Sequence, residues 1–257
     1  MNGEMSKMAA LMRRECWELR SPRALAVLGL LAGMQCLVMA ASRQAGRIED
    51  TSVMFMLGGL VGVILAFDLV AREREHRTLD LVLTQGVSRR ALFAAKWLAT
   101  LGLCGAAALA ATAGSLLGRL LSGKPAAWAD LLAEFAMLWW LLAVFGLLAL
   151  LCSVVLRRGK WALMAAAVAW AILRPPVMML LVLAPLQEAL GWDQTQLWRV
   201  LATLPEFAFR LGLDPQRGAP EGVTLAAWLP YAALAAYVAV FTATAAAVFV
   251  RQDEPAV

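Results

Sequence analysis

The chemically reactive side chains of this sequence are few and lie far apart. Its only histidine is His76, which excludes a histidine-rich metal site. The four cysteines are Cys16, Cys36, Cys104 and Cys152, and three of them lie inside apolar runs. This spacing is typical of small buried hydrophobic residues and fits neither a disulfide framework nor a CxxC metal motif. We therefore predict no catalytic residues and no metal or cofactor bound by this chain.

Residues 118–124 match GxxxxGK, the spacing of a phosphate-binding loop. Pro125 stands where such a loop carries the Ser or Thr that binds magnesium, and the stretch follows a long apolar run instead of a strand. We interpret it as a helix end and a turn. The sequence also lacks HExxH, GxSxG and GxGxxG motifs, so no pair of catalytic groups supports the alternative of a membrane-embedded enzyme.

Arg174 is the charged residue with the most unusual position. It lies about midway along an apolar run and directly precedes Pro175 and Pro176. A charge in the middle of a bilayer costs several kcal/mol unless it faces protein or water, and prolines interrupt helix hydrogen bonding. Two interpretations stay open. Either Arg174 lines a substrate path beside a broken helix, or the span ends early and the chain folds back on the outer side.

Long apolar runs position these residues. The chain has 257 residues, of which 62% are hydrophobic, whereas a soluble domain is about half apolar. A helix needs about 20 apolar residues to cross a hydrocarbon layer of ~30 Å. The sequence therefore predicts a single all-α integral membrane domain over 1–257, with six transmembrane helices at about 24–41, 53–70, 98–121, 136–156, 161–183 and 226–250.

An amphipathic helix lying in the membrane surface is predicted before the first span, at 5–21. Met8, Leu11 and Leu19 recur there with helical spacing, and charged residues such as Arg13 flank them. This stretch is long for the n-region of a signal peptide, so we expect the first span to be retained.

Basic residues indicate the orientation of the spans, because cytoplasmic loops of membrane proteins carry more Lys and Arg. Of the 23 Lys and Arg residues, 15 lie before the first span, in 71–97, in the turn 157–160 or at Arg251, all on one side of the predicted spans. We therefore expect both termini and 71–97 in the cytoplasm, and the less apolar region 184–224 outside. Topology thus explains the net charge of +5 without a nucleic-acid partner.

Three predicted spans contain pairs of glycines four residues apart. Such pairs let helices approach closely in lipid, so they predict tight packing, either within the chain or between chains. The pairs are Gly29/Gly33, Gly58/Gly62 and Gly114/Gly118.

The segment 71–97, between the second and third spans, is dense in charge as far as Asp80. Glu73 and Arg77 are spaced to pair on one turn of a helix. We expect the apolar side chains that follow to be exposed between the charges; these are Leu79, Leu81, Val82 and Leu83. An exposed apolar patch ringed by charge is typical of a docking surface, and an ordinary solvated interfacial loop is the alternative.

A turn and a second helix are predicted after this patch. Gly86 permits a turn, and Ser88 is suited to cap a helix that starts near Arg89 and continues into the third span. The physical interpretation of the segment is therefore helix, turn and helix on the cytoplasmic face.

The same segment resembles the coupling segment of ABC-2 type transporter permeases, notably the NosY-like group. The resemblance rests on a glutamate-containing stretch followed by TLDLVL at 78–83 and VSRR at 87–90. RQD at 251–253 is similar to the ending of that family, and AFR at 208–210 is similar to a segment before its sixth span. The sequence departs from the family at Gly86, where proline is frequent.

The resemblance implies a permease subunit of an ATP-binding cassette exporter in the bacterial cytoplasmic membrane. Two such chains, identical or related, would form the translocation path, and a separate cytosolic ATPase, which holds ATP and magnesium, would dock on the coupling segment. The residues that the resemblance assigns to coupling are Glu73, Glu75, Arg77, Thr78, Leu79, Asp80, Leu83, Ser88 and Arg89. The alternative is a six-span assembly or immunity protein that binds a partner and transports no substrate.

Overall fold

The computed structural model of the chain describes residues 22–41, 52–76, 78–84, 86–174, 183, 185, 187, 189, 191–208 and 228–251. Within these ranges every regular element is a helix, as the sequence predicts. In chain order the helices are α1 (Pro22–Ala41), α2 (Ser52–Ala66), α3 (Ala71–Glu75), α4 (Thr78–Thr84), α5 (Arg89–Leu121), α6 (Trp128–Val155), α7 (Gly159–Ile172), α8 (Gln194–Leu201) and α9 (Leu229–Arg251). The predicted surface helix at 5–21 and much of 184–224 lie outside the described residues.

Three of these helices, α5, α6 and α9, are long and apolar enough to cross a membrane. Helix α5 has 33 residues, or about 50 Å, so it is longer than a hydrocarbon layer of ~30 Å and extends beyond it. Helices α1 and α7 contain shorter apolar stretches. Each predicted span overlaps one helix, although α7 ends at Ile172, well before the predicted end of the fifth span.

Helix α6 forms the centre of the bundle and packs against α2, α5, α7 and α9. In its most apolar stretch 72% of the residues are buried, and Leu141, Phe145 and Leu150 have no exposed surface. A helix that is apolar all round is stable only when other helices or lipid surround it. Helix α9 is only 17% buried in its apolar stretch, so it lies at the edge of the described bundle.

Glycines bring α1 and α5 into close contact, as their spacing predicts. A Cβ atom on Gly114 would collide with the carbonyl oxygen of Ala32, and one on Gly118 would collide with that of Cys36. Residue numbers rise together along this contact, so α1 and α5 run parallel.

The other two glycine pairs differ from each other. A Cβ atom on Gly62 of α2 would lie 2.6 Å from the carbonyl oxygen of Leu142 of α6, so this pair also marks a close helix approach within the chain. Gly29 and Gly33 have nothing within 4 Å of a Cβ atom among the described residues, so their face of α1 is open in this part of the structure.

Residues 118–124 form a helix end and a turn, which confirms the interpretation of the GxxxxGK match. Helix α5 ends at Leu121, and Gly123 adopts a positive φ of 67°. Lys124 Nζ donates a hydrogen bond of 2.9 Å to the carbonyl oxygen of Met39. The lysine that would contact a phosphate in a phosphate-binding loop instead ties this turn to the end of α1.

Candidate functional site

In the described residues of the segment 71–97, the two short helices α3 and α4 come before a turn at Gly86 and the start of α5. Gly86 adopts a φ of 74°, a left-handed conformation that costs glycine nothing sterically. Ser88 Oγ accepts a hydrogen bond of 3.3 Å from the backbone N–H of Ala91, so it caps α5, which begins at Arg89. With the end of α6 and the start of α7, this segment forms what we call the charged end of the bundle.

A buried hydroxyl fixes the start of α3 to α6. Ser153 Oγ accepts hydrogen bonds from the backbone N–H groups of Val70, at 3.0 Å, and Ala71, at 2.8 Å. The first N–H groups of a helix have no acceptor within the helix, so Ser153 supplies one from a neighbouring helix. Arg74 Nη1 also donates a hydrogen bond of 2.6 Å to the carbonyl oxygen of Val154. Three hydrogen bonds therefore hold α3 to the end of α6.

Glu75 connects α3 to α7. Its Oε1 accepts a hydrogen bond of 2.9 Å from the backbone N–H of Gly159, the first residue of α7. A carboxylate at a helix N-terminus is stabilised by the N–H groups and by the helix dipole. Arg158, which precedes α7, makes no side-chain cap, so the cap of α7 comes from α3.

A buried ion pair joins α3 to α5. Lys96 Nζ lies 2.9 Å from Glu73 Oε1, and the two side chains are 1% and 9% exposed. Burying such charges is costly unless they are paired and hydrogen-bonded. Thr78 Oγ1 donates a hydrogen bond of 3.2 Å to the carbonyl oxygen of Glu73, which adds α4 to the same connection.

The expectation that Leu79 is exposed is wrong. Leu79 is 6% exposed and Val82 is 4% exposed, and both belong to the main hydrophobic core. Residues three apart share one face of a helix, and this apolar face of α4 packs into the bundle because burial removes it from water. The side chains of Asp80 and Leu83, and all of Arg77, lie outside the described part of the chain, so their coupling roles stay predictions.

The exposed face of the described segment is polar. The side chains of Leu81 and Leu83 lie outside the described part, so this polar face is formed by the other residues of the segment. The exposed residues include Arg72, Glu75, His76, Thr84, Ser88 and Arg90.

Arg174 lies just past the end of α7, beside Glu206. Arg174 Nε is 3.5 Å from Glu206 Oε2, and its guanidinium carbon lies 5.2 Å from the centre of the Trp170 ring. Burial raises the pKa of Glu206 to about 7, although the charge of Arg174 opposes this shift. Helix α7 ends here because a residue before proline is disfavoured in the helical conformation. Residues 175–182 lie outside the described part, so both interpretations of Arg174 stay open.

Sequence reasoning missed a buried polar cluster between α1, α5 and α6. Glu134 Oε2 accepts a hydrogen bond of 3.1 Å from Ser115 Oγ and lies 3.5 Å from Arg119 Nη2. Gln35 of α1 is fully buried beside them. The sequence does indicate this cluster, because Ser115 and Arg119 lie one helical turn apart and the short turn between α5 and α6 brings Glu134 back to them.

Comparison with known protein families identifies the family of the chain. A search of curated proteins finds no relative. The family model described as ABC-2 family transporter protein matches residues 21–254, which is nearly the whole chain. This match agrees with the helical fold and with the resemblance of the segment 71–97. The chain therefore belongs to the ABC-2 family of transporter proteins.

Proposed function

We propose that the chain is the permease subunit of an ATP-binding cassette exporter, and that a separate cytosolic ATPase docks on the segment 71–97. The observation that carries this proposal is the set of bonds that α3 makes with its neighbours. In a member of this family, a push on α3 would pass to α6 through Ser153, to α7 through Glu75 and to α5 through Glu73.

Transport needs two arrangements of the bundle whose relative free energies change when ATP binds to the partner. Helix α3 is suited to transmit this change because it is short and both of its ends are bonded to other helices. Helix α6, at the centre of the bundle, packs against α2, α5, α7 and α9, and packed helices move as rigid bodies. A displacement of α3 therefore tilts α6 and changes the packing around it.

The proposal includes six membrane spans, formed by α1, α2, α5, α6, α7 and α9, with both termini in the cytoplasm. The excess of basic residues at the charged end supports this orientation. We further propose, from the resemblance of the segment 71–97, that two identical or related chains form the path in a bacterial cytoplasmic membrane. The same resemblance supports a NosY-like subgroup, with ATP and magnesium bound by the ATPase.

We assign docking to the exposed polar face of α3, which carries Arg72 and Glu75, and to the exposed His76 that directly follows α3. Among the predicted coupling residues, Glu73 and Ser88 have a structural role, because their contacts within the chain stabilise the fold of the segment. Leu79 has the same internal role, because it is buried in the core. Its replacement by Asp would unfold the segment and would not test docking.

The test replaces Arg72 and His76 together by Glu and uses Arg199→Glu as a matched control. Arg199 is also an exposed residue, but it lies in α8, in the predicted outer region. Each tagged protein is purified from its native membrane in mild detergent, the co-purifying proteins are identified, and ATP hydrolysis is measured.

We expect a stoichiometric protein with a phosphate-binding loop to accompany the wild type and the Arg199→Glu control, and to be lost from the double variant. ATP-dependent flux of substrate in vesicles would then distinguish transport from partner binding alone. If the wild-type chain purifies without any ATPase, even after gentle crosslinking, the proposal is wrong and the assembly or immunity alternative gains support.

A further inference from the structure

A groove opens at the charged end between the start of α5 and the end of α9. The rings of Phe93 and Phe249 lie in contact beside it, with their centres 5.8 Å apart, and join the two helices. Its volume is about 400 Å³, and it is lined by Arg90, Phe93, Ala246, Ala247, Val250 and Arg251. The two alanines leave the space that larger side chains would fill.

The lining of the groove combines positive charge with apolar surface. Arg90 and Arg251 are both exposed, and none of the described lining residues is acidic. Guanidinium groups bind phosphate oxygens with two parallel hydrogen bonds and are weakly hydrated. Phe93 and the small aliphatic side chains offer only apolar contacts. The groove therefore fits a molecule that carries a phosphate next to an alkyl chain.

The position of the groove favours a membrane lipid over a soluble anion. Arg251 is the last residue of α9 and Arg90 is the second residue of α5, so both lie where two apolar helices end. The apolar stretch of α9 is only 17% buried in the described bundle, so this helix faces its surroundings. A small soluble phosphate would gain nothing from the apolar lining, whereas an acyl chain would be removed from water there.

We propose that this groove binds an anionic phospholipid, with its phosphate between Arg90 and Arg251 and an acyl chain along Phe93 and Val250. The proposal rests on the membrane spans of the proposed function, but its test measures lipid binding and uses neither transport nor ATP hydrolysis. A lipid bound here would bridge α9 and the first turn of α5, which continues directly from the coupling segment.

The test uses the full chain, delipidated in detergent and incubated with phosphatidylglycerol or with phosphatidylcholine of the same acyl chains. Bound lipid is counted by native mass spectrometry. The first variant combines Arg90→Gln and Arg251→Gln. The second, Ala247→Leu, keeps both charges and fills the groove. The control, Arg158→Gln, removes an exposed charge at the same end but outside the groove.

We expect the wild type to bind phosphatidylglycerol more tightly than phosphatidylcholine. Each arginine beside an anionic headgroup contributes about fivefold in affinity, so the double arginine variant should bind about 25-fold more weakly. Ala247→Leu should also lose phosphatidylglycerol, and Arg158→Gln should retain it. Because Ala247→Leu changes no charge, it tests the site even if the double arginine variant fails to fold.

Equal phosphatidylglycerol binding by the wild type and both groove variants would overturn the proposal. A loss of phosphatidylglycerol binding in Arg158→Gln as large as that in the groove variants would also overturn it. Deletion of residues 252–257 tests whether the C-terminal tail occupies the groove instead. Unchanged phosphatidylglycerol binding in the deletion variant supports the lipid site. If phosphatidylglycerol binds only after the deletion, the tail is the natural occupant of the groove, and the proposal of a lipid site is overturned.

Discussion

The replacement Ser153→Ala removes the acceptor for two buried backbone N–H groups and leaves no polar atom in its place. Val70 and Ala71, which carry these groups, have no exposed surface. Each buried donor without an acceptor costs about 1–3 kcal/mol, so the change weakens the attachment of α3 to α6 by roughly 2–6 kcal/mol. Even the lower value corresponds to an about 30-fold larger equilibrium constant for opening this contact.

Hydrogen exchange of the backbone amides is the direct assay, because the two amides that lose their acceptor are the reporters. Exchange at Val70 and Ala71 should accelerate by at least about 30-fold in Ser153→Ala, while amides in the centre of α6 keep their protection. The control is Cys152→Ala, which removes a half-buried side chain from the neighbouring position and leaves the Ser153 hydroxyl in place. It should change exchange at these two amides by less than about threefold.

Exchange at Val70 and Ala71 that is the same in Ser153→Ala and in the wild type would refute the reasoning. It would mean that the hydroxyl does not hold α3 to α6, and that a displacement of α3 reaches α6 by another route. Equal acceleration in Cys152→Ala would also count against it, because the effect would then follow general loosening of α6.

The buried ion pair, the contact between α1 and α5, and Glu206 can each be tested by substitution. Glu73→Gln and Lys96→Met should each destabilise the protein by about 3–5 kcal/mol, because each removes one partner of a buried ion pair. The double variant should lose less stability in thermal unfolding than the sum of the two single variants. Gly118→Leu should lower stability by roughly 1–3 kcal/mol by forcing α1 away from α5, whereas Gly29→Leu, on an open face, should change the unfolding midpoint little. The pKa of Glu206 in the folded state is raised from 4.5 to about 7, so its contribution to stability is complete below pH 4.5 and is lost as the pH rises through about 7. The midpoint temperature of thermal unfolding should therefore fall as the pH rises from 4.5 to about 7, and it should fall less in Glu206→Gln.

Local features of the charged end could be predicted from the sequence because they depend on neighbouring residues alone. Gly86 is suited to a left-handed turn and Ser88 to a helix cap, and both adopt these conformations. The glycine pair at Gly114 and Gly118 also acts through a simple property, the lack of a side chain, and it brings two helices together as expected.

Contacts between distant parts of the chain could not be predicted in the same way. Glu75 lies 84 residues from Gly159, and nothing in either local sequence shows that one caps the other. The face of α4 that carries Leu79 was assigned to solvent because charged residues surround it in sequence, yet packing against the bundle decides its burial. Arg119 and Glu134 are the exception, because a short turn between two long helices already indicates that they meet.

We propose that α3 receives the ATPase and transmits its movement to α6 and α7. The most direct measurement compares hydrogen exchange of the complex of this chain with its ATPase in the nucleotide-free state and with a non-hydrolysable ATP analogue. We predict that amides of 70–76 and 153–160 change protection together. In Ser153→Ala the change at 153–156 should weaken, whereas the changes at 70–76 and at 159–160, which Glu75 contacts directly, should remain. If nucleotide alters exchange only within the ATPase, or alters 153–156 equally in Ser153→Ala and in the wild type, transmission from α3 to α6 through Ser153 is contradicted.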